Sequence, residues 1–400
     1  MISTEFVKSN FSIMEKLVTM EDISLQLSFF KEERMKKILV FALVLVLGSV
    51  LFAGGAQETA VQDDTPTIRL LTDATGIDDK SFNAAAWRGI VEFYGDTVDN
   101  TPNRGRYYDV VTAQTQDMYI PNLMQAADEG YDIIMVTGFT WADALGEVAP
   151  LYPEQNFVIV DVDWVGQPNV MEFIYSEEQG SYLVGLAAAL QAKAEGVNNP
   201  RFGFIGGVPG ATITKFEMGY VQGILSVFPN ADIVDYYAND WGKPELAKAQ
   251  AKNWYDSGVY AIFSAAGGTG NGTIAQAKEY RMQGRNVWAI GVDSDQFEDG
   301  IYSGDKSAVL TSMLKRVENS SLYCLNAVQD GTFTGEVVKM TMTDEGVGYS
   351  TANPELKAEV VEAVEAAKQD IIDGKITIYG TYRDALAAGA APAGLAALDD

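Results

Sequence analysis

Several apolar runs of this sequence end on aspartate: IRLLTD at Asp73, FVIVDVD at Asp161 and Asp163, and NVWAIGVD at Asp293. A carboxylate closing a buried strand is costly unless solvent, a helix N-terminus or a ligand meets it. Aromatic and amide side chains stand in comparably polar settings: Phe82 and Asn83 in DDKSFNAAAWRG, Phe139 after MVTG, and Trp241 in ANDWGKP. A flat heterocycle with polar edges is held by aromatic side chains on its faces and by an amide or carboxylate on its rim. Phe82 and Trp241 could supply the faces, Asp73 and Asn83 the rim. Plainer readings stand beside these, with Phe82 as a core side chain and Asp293 as a helix N-cap. Trp241 lies between Asp240 and Gly242-Lys243-Pro244, a polar loop where a core role is less natural. The run GGTGNGT beginning at Gly267 has neither the spacing of a dinucleotide fingerprint nor the Gly-Lys-Ser/Thr of a triphosphate loop, so close backbone approach to a sugar is the better reading. DSDQFEDG at 293–300 puts Phe297 at the third ligand position of a calcium loop, so no metal is expected there.

Composition narrows the chemistry. There is no histidine, which removes the usual general base, the Ser-His and Cys-His pairs and the commonest zinc ligand. The 55 acidic residues exceed the 28 basic ones by 27, a field that repels phosphate backbones and disfavours nucleic acid. Cys324, the single cysteine, sits in SSLYCLNAV with the spacing of a buried helical face and reads as an inert core thiol. Neither cofactor nor metal is expected.

The elements that must position the candidates alternate. Strand runs such as YDIIMVTG, RFGFIGG, AIFSAAG and AVLTSML are separated by helical stretches such as AAAWRGIVEFY and ELAKAQAKNWYDSG. Strand-helix alternation over 400 residues predicts an α/β chain of two doubly wound parallel-sheet lobes. In such sheets ligands lie beyond the C-terminal strand ends, which is where Asp73, Phe139, Trp241, Gly267 and Asp293 fall. The lobes are expected to comprise residues 57–173 plus 307–333 and 174–306 plus 334–383, with crossovers near 173, 306 and 334. Residues 384–400, rich in Ala, Gly and Pro, are expected to form a mobile tail.

The start of the chain has the layout of an export signal: basic RMKK at 34–37, the apolar run ILVFALVLVLGSVLFA and the small, polar GGAQETA. At about 16 residues the run is short for a spanning helix of roughly 20. Translation from Met35 and cleavage after Ala53 or Ala56 are expected, with residues 1–56 counted as upstream extension and signal. LFAGG resembles a lipoprotein signal in which Gly54 or Gly55 replaces the lipidated cysteine, so no lipidation is expected there.

Five ordered segments carry a family resemblance: TDATGIDDKSFNAAAWRG at 72–89, FEMGYVQG after IGGVPG, SAAGGTGNG at 264–272, IGVDSDQ at 290–296 and TSMLKR at 311–316. Over residues 67–383 the chain resembles the basic membrane protein family of substrate-binding proteins, in its purine nucleoside receptor branch. The resemblance implies a type I periplasmic-binding fold and a non-enzymatic, monomeric, extracytoplasmic receptor that hands a purine nucleoside (guanosine, inosine or adenosine) to an ABC permease. By motif position Asp73 and Asn83 resemble base-recognising residues, Phe82 one aromatic plate, and Gly267, Asp293 and Lys315 the residues that meet the ribose. Trp241 stands where the family typically has phenylalanine as the second plate. The alternatives are a transport or sensory receptor for a sugar or other small polar metabolite, and a carboxylate-based nucleoside hydrolase.

Overall fold

A computed structural model describes residues 64–399, so the export signal read at 35–56 lies outside the described residues. The first sheet is built from β1 (Ile68–Thr72), β2 (Tyr108–Thr112), β3 (Ile133–Thr137), β4 (Asn156–Val160) and β5 (Val170–Tyr175), interleaved with α1 (Phe82–Phe93), α2 (Tyr119–Glu129) and α3 (Ala142–Val148). The chain then enters a second sheet through α4 (Glu177–Ala194). That sheet takes β6 (Arg201–Gly206), α5 (Ala211–Leu225), β7 (Asp232–Tyr237), α6 (Pro244–Asp256), β8 (Val259–Ala265), α7 (Asn271–Met282) and β9 (Trp288–Asp293). A small ribbon, β10 (Ile301–Ser303) with β11 (Lys306–Ser307), leads to β12 (Val309–Lys315). Next, α8 (Val317–Gln329) and β13 (Val337–Met340) return to the first sheet, while β14 (Val347–Tyr349), α9 (Ala358–Ile372) and α10 (Tyr382–Ala387) complete the second.

The strand orders are β13-β5-β4-β3-β1-β2 and β14-β12-β9-β8-β6-β7, parallel throughout except for antiparallel β14 on β12. This is the α/β, type I periplasmic-binding architecture expected from the alternation. The central strands β3, β8 and β9 are buried along their whole length, because helices cover both faces of each sheet. Edge strands β2 and β7 are only half-buried.

Strand membership departs from the expected lobe boundaries. AVLTSML, placed with the first lobe as part of 307–333, forms β12 and pairs with β9 and β14 in the second sheet. Residues 337–340, placed with the second lobe, pair as β13 with β5 in the first. The chain therefore passes between sheets at Ser176, at Arg316 and between Met340 and Val347, not near 306 and 334. The tail is packed: Ala385, Ala391 and Ala397 are buried with Met218 and Val221 of α5, and Thr214 donates to the Leu398 carbonyl. Cys324 is buried in α8, where its thiol donates to the Ser321 carbonyl and burial pushes its pKa up to about 12.

The motif FEMGYVQG acquires a structural meaning in the contact between α4 and α5. A Cβ added at Gly219 would stand 2.2 Å from the Glu178 carbonyl oxygen, and one at Gly223 would stand 2.2 Å from that of Tyr182. These are backbone atoms that cannot swing aside, so the glycines set the distance between two largely buried helices. Gly223→Ala is expected to cost about 1–3 kcal/mol in urea unfolding, the usual range for overpacking a core. A midpoint matching wild type would show that the helices separate freely.

Candidate functional site

Strand order fixes where a site can form. In each sheet the connections diverge to opposite sides at one place, between β1 and β3 in the first and between β6 and β8 in the second. The C-terminal ends there open onto a crevice. Asp73 follows β1, Gly138 and Phe139 follow β3, and Ala266 and Gly267 follow β8. The structure brings all eight sequence-derived candidates, Asp73, Phe82, Asn83, Phe139, Trp241, Gly267, Asp293 and Lys315, to the wall of one cavity of about 600 Å³, mouth included. Four of them, Asp73, Phe82, Asn83 and Phe139, belong to the first sheet's lobe and four, Trp241, Gly267, Asp293 and Lys315, to the second, so the cavity draws on both. Phe216, Asp79 and Asp161 also line it.

The first sheet's contribution is organised by Asp79. Its carboxylate accepts from the backbone N–H groups of Ser81 (2.9 Å), Asn83 (2.8 Å) and Ala84 (3.0 Å) and so caps α1, which starts at Phe82. Burial pushes Asp79 up to about 6 against the pull of those three N–H groups. No described helix starts at Asp293, so the capping role considered for it is not taken up. Asn83 is engaged at both ends of its amide. Its Oδ1 accepts from Thr137 (2.5 Å), while Nδ2 donates to Asp73 Oδ1 (3.1 Å) and Thr75 Oγ1 (2.9 Å). Asp73 Oδ1 also accepts from the Thr75 backbone N–H (3.1 Å). Asn83 and Thr75 therefore anchor one oxygen of Asp73, and among the described residues none is recorded as donating to the other.

Trp241 is held by backbone. Thr269 N–H donates to its carbonyl (2.7 Å), the Thr269 hydroxyl donates to the Asp240 carbonyl (2.9 Å), and Lys243 N–H donates to that hydroxyl (2.8 Å). Its indole lies against Gly207, where an added Cβ would come within 2.1 Å of the ring, so the second glycine of FIGG is required by the tryptophan itself. Phe139 of the first sheet meets this indole edge-on, with ring centroids 6.2 Å apart and planes at 72°.

Opposite lies a charged cluster. Lys315, 1% exposed, pairs with Asp161, and its ammonium stands 3.0 Å from Glu177 Oε1; Lys215 stands 3.4 Å from the other Glu177 oxygen. The ammonium also lies 5.0 Å from the centre of the Phe82 ring. Burial opposes its charge, but Asp161, Glu177 and Asp293 hold its pKa above the ordinary lysine value. Burial would raise Glu177 too, yet Lys315 and Lys215 bring it below the usual carboxylate value. Asp293, 6% exposed, accepts from the Ser81 hydroxyl at 2.5 Å. Burial lifts it to about 7, with Lys315 pulling the other way.

Asp161 was readable among the strand ends but was not singled out. The available signal was its likeness to Asp293: both close an apolar strand, and both have a left-handed backbone, φ 73° and 62°. Phe216 was hidden inside FEMGYVQG, whose helical spacing reads as core. Among the described residues, no three acidic or cysteine side chains converge as a metal-holding group. No described helix is long and apolar enough to cross a membrane.

The family model described as ABC transporter substrate-binding protein PnrA-like (Bmp) matches residues 67–382. The CD4+ T-cell-stimulating antigen of Listeria innocua is 36% identical over 353 residues, which cover 85% of this chain and 97% of that protein. The ABC transporter nucleoside-binding protein BmpA of Lactococcus lactis subsp. cremoris is 32% identical, with 86% of this chain and 99% of that protein covered. A solved ABC transporter solute-binding protein from Aeropyrum pernix K1 shares the fold with a TM-score of 0.69 at 24% identity, covering 81% of this chain and 98% of its own.

Removing the cation should expose what it balances. In Lys315→Met, Asp161 loses its paired cation and Glu177 keeps only Lys215, which is expected to cost about 3–5 kcal/mol in denaturant unfolding near neutral pH. Asp161, already raised by burial, would then sit further above its ordinary value in the folded state. The folded protein would bind more protons than the unfolded one, so the deficit should shrink as pH falls toward about 4. Wild-type stability at pH 7, or a deficit unchanged at low pH, would overturn this assignment.

Proposed function

The chain belongs to the Bmp family of PnrA-like ABC transporter substrate-binding proteins, and on that footing we propose that it captures a purine nucleoside between its two lobes and delivers it to a permease. The carrying observation is one cavity that combines aromatic side chains from both lobes with carboxylates at separate points of its wall. Phe82 and Trp241 are the plates for the base. Asp73, aimed by Asn83 and Thr75, accepts from the base edge through its remaining oxygen. Asp293 accepts from the ribose hydroxyls, Gly267 allows the sugar close to backbone, and the Lys315 ammonium keeps a donor for a sugar oxygen after pairing with two carboxylates. The relative named as a nucleoside-binding protein supports the same cargo. Function outside the cytoplasmic membrane, after export by the signal at 35–56, completes the reading.

The cavity's charge argues for a nucleoside over its phosphate. Asp73, Asp79, Asp161 and Asp293 line it against Lys315 as the one lining cation among the described residues, within a chain of net charge −27. A phosphate entering there meets carboxylates and a lysine that is already paired. A free base, in turn, leaves Asp293 without the hydroxyls it is placed to accept.

Titration calorimetry tests both sides. Inosine, guanosine or adenosine should bind much more tightly than hypoxanthine or inosine monophosphate, and Asp293→Ala should erase most of the preference over the base. Phe82→Ala and Trp241→Ala should each weaken nucleoside binding by about 1–3 kcal/mol, the range for base stacking on an aromatic side chain. Equal affinities for nucleoside, base and monophosphate would discard the reading in favour of a sugar or another small polar metabolite.

A further inference from the structure

Three consecutive residues at the mouth of α1 reach across to the second lobe. The Asp79 carbonyl accepts from Asn271 Nδ2 (3.0 Å), Lys80 pairs with Asp299 (2.5 Å), and the Ser81 hydroxyl donates to Asp293 Oδ2 (2.5 Å). The Ser81 carbonyl in turn accepts from the Ser294 hydroxyl (3.1 Å), which Arg88 also approaches (3.3 Å). The tripeptide is held in an unusual shape for this purpose. Lys80 has φ 61°, a left-handed backbone that a lysine adopts only at a cost, and the Asp79 side chain clamps the N–H groups on its far side.

Ser81 and Asp293 are buried, whereas the Lys80–Asp299 pair is partly exposed, with side-chain exposures of 57% and 24%. An exposed pair contributes little. A buried hydroxyl donating to a carboxylate that also faces the ligand cavity contributes more. It joins residues of the two lobes and engages a carboxylate on the cavity wall.

We propose that residues 79–81 form a latch that holds the lobes closed over the ligand, with Ser81 as the positioning residue that aims the Asp293 carboxylate into the cavity. The inference rests on the nucleoside reading above and goes beyond it by assigning closure and aim to one hydroxyl outside the ligand's contacts. The latch forms after encounter, so its loss speeds ligand escape and leaves capture unchanged. It also makes no contribution to the open, ligand-free protein.

Stopped-flow fluorescence with inosine, read from Trp241 in the cavity wall, tests this on the exported chain. Ser81→Ala should raise the dissociation rate roughly ten- to a hundredfold, the worth of a hydrogen bond to a charged group. The association rate and the ligand-free thermal midpoint should stay at wild-type values. Ser294→Ala, which removes the reciprocal bond, should shift the same rate in the same direction and serves if Ser81→Ala folds poorly. Lys80→Ala should change it by a few-fold at most. In an Asp293→Asn background Ser81→Ala should add little, since the two act through one contact. Unchanged dissociation in both serine variants, or full additivity with Asp293→Asn, overturns the latch while leaving the nucleoside reading intact. Failure of wild type to bind any of inosine, guanosine and adenosine overturns both.

Discussion

The Lys315 ammonium sits where the two sheets exchange their chain, and the surrounding geometry follows from the need to keep it neutralised. Lys315 ends β12 just before the chain crosses at Arg316. Glu177 opens α4 just after the crossing at Ser176, and Asp161 follows β4 of the other sheet. A buried ammonium demands carboxylates, and two carboxylates this close demand an ammonium, so no member can leave without stranding charge in a poor solvent. The crossing strands are tied together beside it, where the Tyr175 hydroxyl donates to the Arg316 carbonyl at 3.0 Å. Cavity and crossing point thus share one electrostatic knot.

Glycine plays the complementary, steric part. Gly207 lets the indole of Trp241 lie against the strand end, and Gly219 and Gly223 let α5 approach α4 to backbone contact. The two segments IGGVPG and FEMGYVQG are separated by only a few residues, yet one shapes the cavity wall and the other the helix layer beneath it. A side chain at any of these glycines would push apart surfaces whose closeness defines the lobe.

The readable part of the molecule was its periodic part. Continuous apolar strands with aspartate or glycine at their ends announce both the sheets and the crevice, which is why Asp73, Trp241, Gly267 and Asp293 could be chosen without coordinates. Periodicity does not say which sheet a strand joins: AVLTSML reads as a buried strand in either, and only pairing with β9 decides. VVKM is four residues long and half-exposed, too weak a signal to announce β13 on an edge. The Ala-rich tail looked uncommitted because composition cannot show that three of its alanines are buried against α5. Asn83 shows the same limit in the site: its residue type fits a ligand's rim, but its amide is spent on Thr137, Thr75 and Asp73.

Asp161 and Asp293 show how two lobes of like design divide one task. β4 and β9 hold the same place in their sheets, and each is followed or closed by an aspartate with a left-handed backbone that turns its carboxylate back over the strand ends. That conformation is uncommon for a residue with a Cβ, and aspartate tolerates it better than most. One of the pair is committed inward, its charge matched by Lys315. The other takes a hydroxyl from the opposite lobe as its partner, and burial raises its pKa to about 7. The duplicated strand end therefore places one carboxylate in the buried ion-pair cluster and the other against a hydroxyl of the opposite lobe.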